Sequence, residues 1–230
     1  MEFLKLTTFG TFLRDGYTAQ TRNALPSRRM AQMGSAFEIL RAYLQARAAF
    51  TDEELDFIQS MLVPKTLASG ETLQRAGDVA QYAAFIAKGC LRSYLIDQRG
   101  KEHIVQFAPE NWWLADNISL TEGTPSQYFI DSIEDSEVLL IDPTSHEQLV
   151  RKIPGYADAF RKGLQRRAAA REERIVNTMS KSAEERYLDF LATYPSIVTR
   201  VPQWMLASYL GVSPETVSRI RKKLSRKSRL

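Results

Sequence analysis

Apolar positions fall at helical spacing through residues 35–50, where Phe37, Leu40 and Leu44 share one face. Thr51-Asp52-Glu53-Glu54 then has the form of a capping box, in which threonine and glutamate each accept a backbone N–H from the other's position. It predicts a second helix with Leu55, Ile58 and Leu62 on one side, ended by Pro64. From residue 65 to 142 the texture changes. Short β-prone runs at 82–87, 90–96, 103–107, 128–133 and 138–141 alternate with turns such as Ser69-Gly70, Ala76-Gly77-Asp78, Lys88-Gly89 and Glu122-Gly123. Many short strands with glycine-bearing turns predict a small antiparallel β-roll, or jelly roll, and residues 97–100 look like a hairpin tip.

Pro143 and Ile153-Pro154 mark the exit from this region. A long helix is predicted over 155–179. Tyr156, Phe160, Leu164, Ala168, Ile175 and Met179 form a partial seam along it, interrupted by Arg171 and flanked by many charges. A narrow apolar seam on a charged helix suits pairing with a second copy, with Tyr156, Phe160, Leu164 and Ile175 as the contact residues. Packing of the same seam on the chain's own β-roll is the other reading. Ser182-Ala183-Glu184-Glu185 is a second capping box, opening a helix that carries Tyr187, Leu188, Phe190 and Leu191 and closes at Pro195.

The last segment carries the chemistry. Leu206 and Leu210 share a face of a short helix, and Ala207 beside them is small enough to let another helix cross closely. Gly211 supplies the positive φ of a sharp turn, and Val212 plugs the corner. Ser213 is a good N-cap and Pro214 suits the first helical position, where its missing N–H costs nothing. Val217, Ile220 and Leu224 then make an inward stripe. The opposite face offers Glu215, Thr216, Ser218, Arg219, Arg221 and Lys222, side chains that reach base edges and phosphates. Together these are the parts of a helix-turn-helix, with Ser213 and those six residues as the candidate DNA contacts. A plain helical hairpin is the alternative.

Charge sharpens this reading. The 230 residues hold 31 basic and 27 acidic side chains, a net +4. Residues 219–230 contain seven basic residues and no acid, so the rest of the chain is slightly acidic. The positive charge is gathered beside the reading helix, as phosphate contact requires. Residues 1–34 lack sustained periodicity and the apolar core of a secretory signal, and read either as a mobile extension or as an upstream stretch from an over-long start. No apolar run is long enough to span a bilayer, so no membrane partner is expected. The single cysteine, Cys90, excludes an internal disulfide and multi-cysteine metal sites, and fits a cytoplasmic home. With only His103 and His146 available, a metal-binding cupin lacks ligands. No metal, cofactor or catalytic residue is expected. The organisation expected is α+β: an extension at 1–34, a β-roll effector domain at 35–153, a dimerisation helix at 154–180, and at 181–230 a small all-α helix-turn-helix domain without a full wing.

In this order of elements the chain resembles the CRP/FNR family of transcription regulators over about residues 36–224. Three segments carry the likeness: Lys88-Gly89-Cys90-Leu91-Arg92-Ser93-Tyr94 with Asp97-Gln98-Arg99-Gly100-Lys101-Glu102; Ser180-Lys181-Ser182-Ala183-Glu184-Glu185-Arg186-Tyr187; and Gly211-Val212-Ser213-Pro214-Glu215-Thr216-Val217-Ser218-Arg219. The resemblance implies a homodimer on double-stranded DNA, half-site reading by Glu215, Ser218 and Arg219, and a small-molecule effector and RNA polymerase as further partners. It also places an effector pocket at Ala115, Asp116, Ser126 and Gln127. There the family's cyclic-nucleotide pocket carries Gly-Glu and, later, an arginine for the phosphate. Loss of that arginine removes a charge-assisted hydrogen bond, which argues against cyclic AMP in the usual manner. A protein-interaction module is the remaining alternative function.

Overall fold

The computed structural model describes residues 27–227, so most of the extension expected at 1–34 lies outside the described residues. The chain divides into two units, Met1–Ser35 and Ala36–Leu230, and apart from residues 27–35 at the start of the first helix the features described below belong to the second. Helix α1 (Ser27–Gln45) leads to α2 (Asp52–Ser60). Eight strands follow: β1 (Val63–Leu67), β2 (Thr72–Gln74), β3 (Ala83–Lys88), β4 (Leu91–Ile96), β5 (Glu102–Ala108), β6 (Trp113–Leu114), β7 (Phe129–Ser132) and β8 (Ser136–Ile141). A short helix, α3 (Asn117–Glu122), interrupts them between β6 and β7. After β8 every described element is a helix: α4 (Pro143–Lys152), α5 (Pro154–Ser180), α6 (Ala183–Thr193), α7 (Gln203–Leu210) and α8 (Pro214–Lys227).

The strands form two four-stranded antiparallel sheets, ordered β1-β8-β3-β6 and β2-β7-β4-β5. Leu67, Ile86, Leu91, Leu114 and Ile130 fill the space between them. Each sheet is also covered on its outer face. Phe85, Leu139 and Ile141 of the first sheet pack with Leu40, Ile58 and Leu149 of the helices before and after the roll. Cys90, Tyr94 and Phe107 on the second sheet's side pack with Phe190, Ile197 and Leu206 of the C-terminal helices. Burial on both faces explains why β3 and β8 read as continuous apolar runs rather than as alternating ones.

Local chemistry fixes the boundaries. Both capping boxes form: Glu54 N–H donates to Thr51 Oγ1 at 3.2 Å while Thr51 N–H donates to Glu54 Oε2 at 3.0 Å, and Ser182 and Glu185 repeat the exchange. The helix opened by Thr51 stops at Ser60, before Pro64, contrary to expectation. Pro64 lies inside β1, an edge strand, the kind of strand in which proline is tolerated. The hairpin tip closes with Gly100 N–H donating to the Asp97 carbonyl at 2.9 Å. Asp97 also accepts from the N–H groups of Arg99 and Lys101, and His103 Nε2 lies 2.8 Å from its carboxylate. At Gly89, φ is +94°, and a Cβ there would stand 2.1 Å from Ser136 Oγ, so only glycine fits the turn into β4. Among the described residues, no helix is long and apolar enough to cross a membrane.

Candidate nucleic-acid interface

Helices α7 and α8 form the predicted pair. Gly211 takes the left-handed conformation, φ +67°, and its N–H donates back to Ala207 and Ser208. Val212 N–H also donates to the Ala207 carbonyl, so the turn satisfies carbonyls at the end of α7. Ser213 caps α8, accepting from Thr216 N–H at 3.3 Å. Leu206, Ala207, Leu210, Val217 and Ile220 are buried, with Val212 and Leu224 packed against them. The crossing is held by apolar packing rather than by the outward residues of α8.

On that face Ser213, Glu215, Ser218, Arg219 and Lys222 are exposed and Thr216 is half-buried. Arg219 Nη2 donates to Thr216 Oγ1 at 3.0 Å. The hydrogen bond from Ser213, with help from its own backbone N–H and from Arg219, lowers the Glu215 carboxyl below the usual range. Glu215 is therefore an ionised acceptor beside an arginine donor, one helix turn apart: a pair suited to a cytosine amino group and a guanine edge.

Arg221 departs from the expectation of a DNA contact. Its Nε donates to Tyr187 Oη at 3.1 Å and its Nη2 to the Val198 carbonyl at 3.2 Å, which ties α8 to α6. Two residues after Arg219, it lies some 200° around the helix and so points inward. Lys223 likewise reaches Glu184 at the start of α6.

Of the four effector-pocket positions, Asp116 and Ser126 are engaged with each other. Asp116 is buried at the start of α3, accepting the N–H groups of Ile118 and Ser119. Its second oxygen accepts from Ser126 Oγ at 2.7 Å, and Ser126 Oγ in turn accepts from Tyr128 N–H at 3.0 Å. Ala115 is half-buried and Gln127 exposed. The carboxylate and hydroxyl that the resemblance assigns to a ligand are thus satisfied internally.

The four dimerisation residues separate into two sets. Tyr156 is buried in the core under α4, its hydroxyl 2.9 Å from His146 Nδ1, and the Phe160 ring centroid lies 4.2 Å from that of His146. Tyr156 is therefore corrected from a contact residue to a core residue, and Phe160 is shared with α4. Leu164 and Ile175 are 38% and 64% exposed, and they are joined by Val176 and Met179. The seam divides because the apolar side chains of the first turns of α5 pack under α4, while Leu164, Ile175, Val176 and Met179 further along stay exposed.

Two groups of charges escaped sequence reading. In the first, buried Arg92 donates to both oxygens of Asp131, at 2.7 and 2.9 Å, and to Glu102 at 2.7 Å. The second is the set made by Arg174 and Arg200. Their partners lie tens of residues away, and only the folded sheet brings them together.

The likeness to known proteins follows the same outline. Residues 64–152 match the family described as "Cyclic nucleotide-binding domain". The fumarate and nitrate reduction regulatory protein of Vibrio cholerae is 24% identical over 181 residues, covering 74% of this chain and 72% of that one. FixK2 of Bradyrhizobium japonicum superposes with a TM-score of 0.63 at 20% identity, over 73% of this chain and 86% of that one. The Thermus thermophilus catabolite activator protein gives 0.50 at 21%, over 78% and 86%. With a cyclic nucleotide-binding-like β-roll joined to C-terminal helices, the chain is similar in sequence and in fold to these CRP/FNR-type proteins. Two of these relatives are named as a regulatory protein and an activator protein.

Proposed function

We propose that the protein is a cytoplasmic transcription regulator that binds an inverted-repeat operator as a homodimer. The observation that carries this is the open polar face of α8: Glu215, Ser218 and Arg219 point outward while Val217 and Ile220 lock the helix from behind. Two copies paired along α5 would offer two such helices about one turn of DNA, roughly 34 Å, apart. The exposed Leu164, Ile175, Val176 and Met179 supply the apolar surface for that pairing. Selection of bound duplexes from a random pool tests the reading. It should return a two-fold symmetric sequence, and recovery without any consensus would overturn it.

The closed Asp116–Ser126 pair supports a second statement: the effector pocket does not take cyclic AMP. A phosphate there would meet a buried carboxylate and no arginine, and a ribose would have to break hydrogen bonds already made. Calorimetry with cyclic AMP should show no heat of binding at micromolar protein. A micromolar or tighter site would refute this reading of the pocket.

A further inference from the structure

The outer edge of β5 is not left to solvent. Ile104 donates its N–H to Ser208 Oγ of α7 at 3.0 Å, and Ser208 Oγ donates to the Glu102 carbonyl at 3.0 Å. Arg174 of α5 donates to the carbonyls of Val105 and, at 3.3 Å, Ile104. The same guanidinium donates to the Tyr209 carbonyl at 2.8 Å and lies 3.9 Å from the Tyr209 ring centroid. An edge strand usually needs charge or covering to satisfy its row of free groups. Here the covering comes from the helix-turn-helix, and Arg174 ties strand, long helix and reading helices at one point.

A second tie lies in the connection between α6 and α7. Arg200 donates through Nη1 and Nη2 to Glu110 at 3.0 and 2.8 Å, and through Nε to Glu134 at 3.1 Å. Both carboxylates belong to the β-roll, and Glu110 also accepts Gly89 N–H at 2.9 Å. Burial pushes the Glu110 carboxyl up, but the Arg200 hydrogen bond and backbone donors outweigh it and hold the group below the ordinary range. Donating to the Glu134 and Glu110 carboxylates raises Arg200 in turn. Between the two ties the rings of Phe107, Phe190, Tyr194 and Tyr209 pack at centroid distances of 5.0–6.5 Å.

We propose that Arg200 and Arg174 are positioning residues for DNA reading: they fix the angle at which α8 is presented to the rest of the chain. In a dimer paired along α5 that angle sets the separation of the two reading helices. This rests on the dimeric, DNA-reading function proposed above. One base pair of spacer moves a half-site by about 3.4 Å and rotates it, so a fixed angle means a strict choice of spacer.

The single cysteine reports the tie without any label. Cys90 is fully buried in the cluster shared by the β-roll and the C-terminal helices, and burial pushes its thiol up to about 12. Wild type should therefore resist iodoacetamide at pH 8. Arg200→Gln should raise the alkylation rate by about tenfold or more at a temperature where the variant is still fully folded. The wild type should prefer one spacer over its neighbours by about tenfold, and Arg200→Gln should reduce that preference below about threefold. Base preference within each half-site should stay unchanged, which a general loss of structure would not allow. If Arg200→Gln does not fold, Glu110→Gln with Glu134→Gln removes the same tie from the other side and should give the same two results. Unchanged Cys90 reactivity overturns the tie. Released Cys90 with an unchanged spacer profile overturns the positioning role. A wild type that selects no inverted repeat overturns the reading function itself, whatever Cys90 does, and the positioning role falls with it.

Discussion

Arg219 and Arg221 stand two residues apart on one helix and should fail in different ways. Arg219 donates to Thr216 within its own helix, so its guanidinium remains available to a guanine. Arg219→Ala should cost about 1–3 kcal/mol of binding per half-site and relax discrimination at one base pair, with the melting temperature unchanged. Arg221 holds Tyr187 and the Val198 carbonyl. Arg221→Ala should instead lower stability by about 1–2 kcal/mol, since hydrogen bonds from a charged donor disappear, and leave base preference as it was. Selection of bound sequences beside thermal melts separates the two. An Arg219→Ala protein that weakens equally on every sequence would make Arg219 a backbone contact. At the hairpin tip, the hydrogen bond from His103, followed by the N–H groups of Lys101 and Arg99, lowers the Asp97 carboxyl from 3.8 to about 2. A depressed carboxyl stabilises the fold above its unfolded pKa and loses that effect as pH falls through the folded value. The turn should thus be intact at pH 5 and loosen between about pH 4 and 2, visible as exchange broadening of the Arg99 and Lys101 amides.

At the scale of elements, α5 does two jobs along its length. Its first turns, with Tyr156 and Phe160, belong to the β-roll through His146, while Leu164, Ile175 and Met179 lie open. Asp at both Ile175 and Met179 should therefore give folded monomers by light scattering, and a double variant that remains dimeric at micromolar concentration would put the interface elsewhere. Phe160→Asp should lower stability instead, because the charge would face a packed aromatic neighbour. The periodicity of α5 was legible in the sequence; which part of the seam the chain keeps for itself was not, because that depends on where α4 returns. The helix-turn-helix was legible nearly residue by residue, since Ala207, Gly211, Ser213 and Pro214 each act through backbone geometry within a few residues. The long strands showed through their apolar runs. Strands β2 and β6 did not, being three and two residues long, nor did β1, which carries a proline, nor the short polar helix α3. Arg92, Arg174 and Arg200 were invisible for a related reason: a lone arginine gains a role only when a distant carboxylate or carbonyl is folded against it.

Across the whole molecule, charge is divided by task. The acidic excess lies in residues 1–218 and the basic excess in the last twelve, which begin on the reading face at Arg219. Inside the fold, cations are consumed: Arg92, Arg200 and Arg221 each serve protein partners, and Lys223 serves Glu184. Lys222 and Arg226 are exposed on α8. Non-specific attraction to phosphates should then come from few residues near the end of the chain, and it can be removed without touching base recognition. Deleting residues 226–230 takes away Arg226, Lys227 and Arg229 from each copy. By counterion release, every phosphate left without its cation should flatten the slope of log affinity against log salt by about 0.9. The truncated protein should bind operator and random duplex more weakly by the same factor at low salt, and its salt dependence should be flatter on both. At high salt, where phosphate attraction contributes least, its ratio of specific to non-specific affinity should equal that of the full chain. Salt titrations from about 50 to 200 mM cover the range in which this attraction dominates. A truncation that lowers only operator affinity, with the random-duplex curve unmoved, would mean that the last residues read sequence rather than backbone.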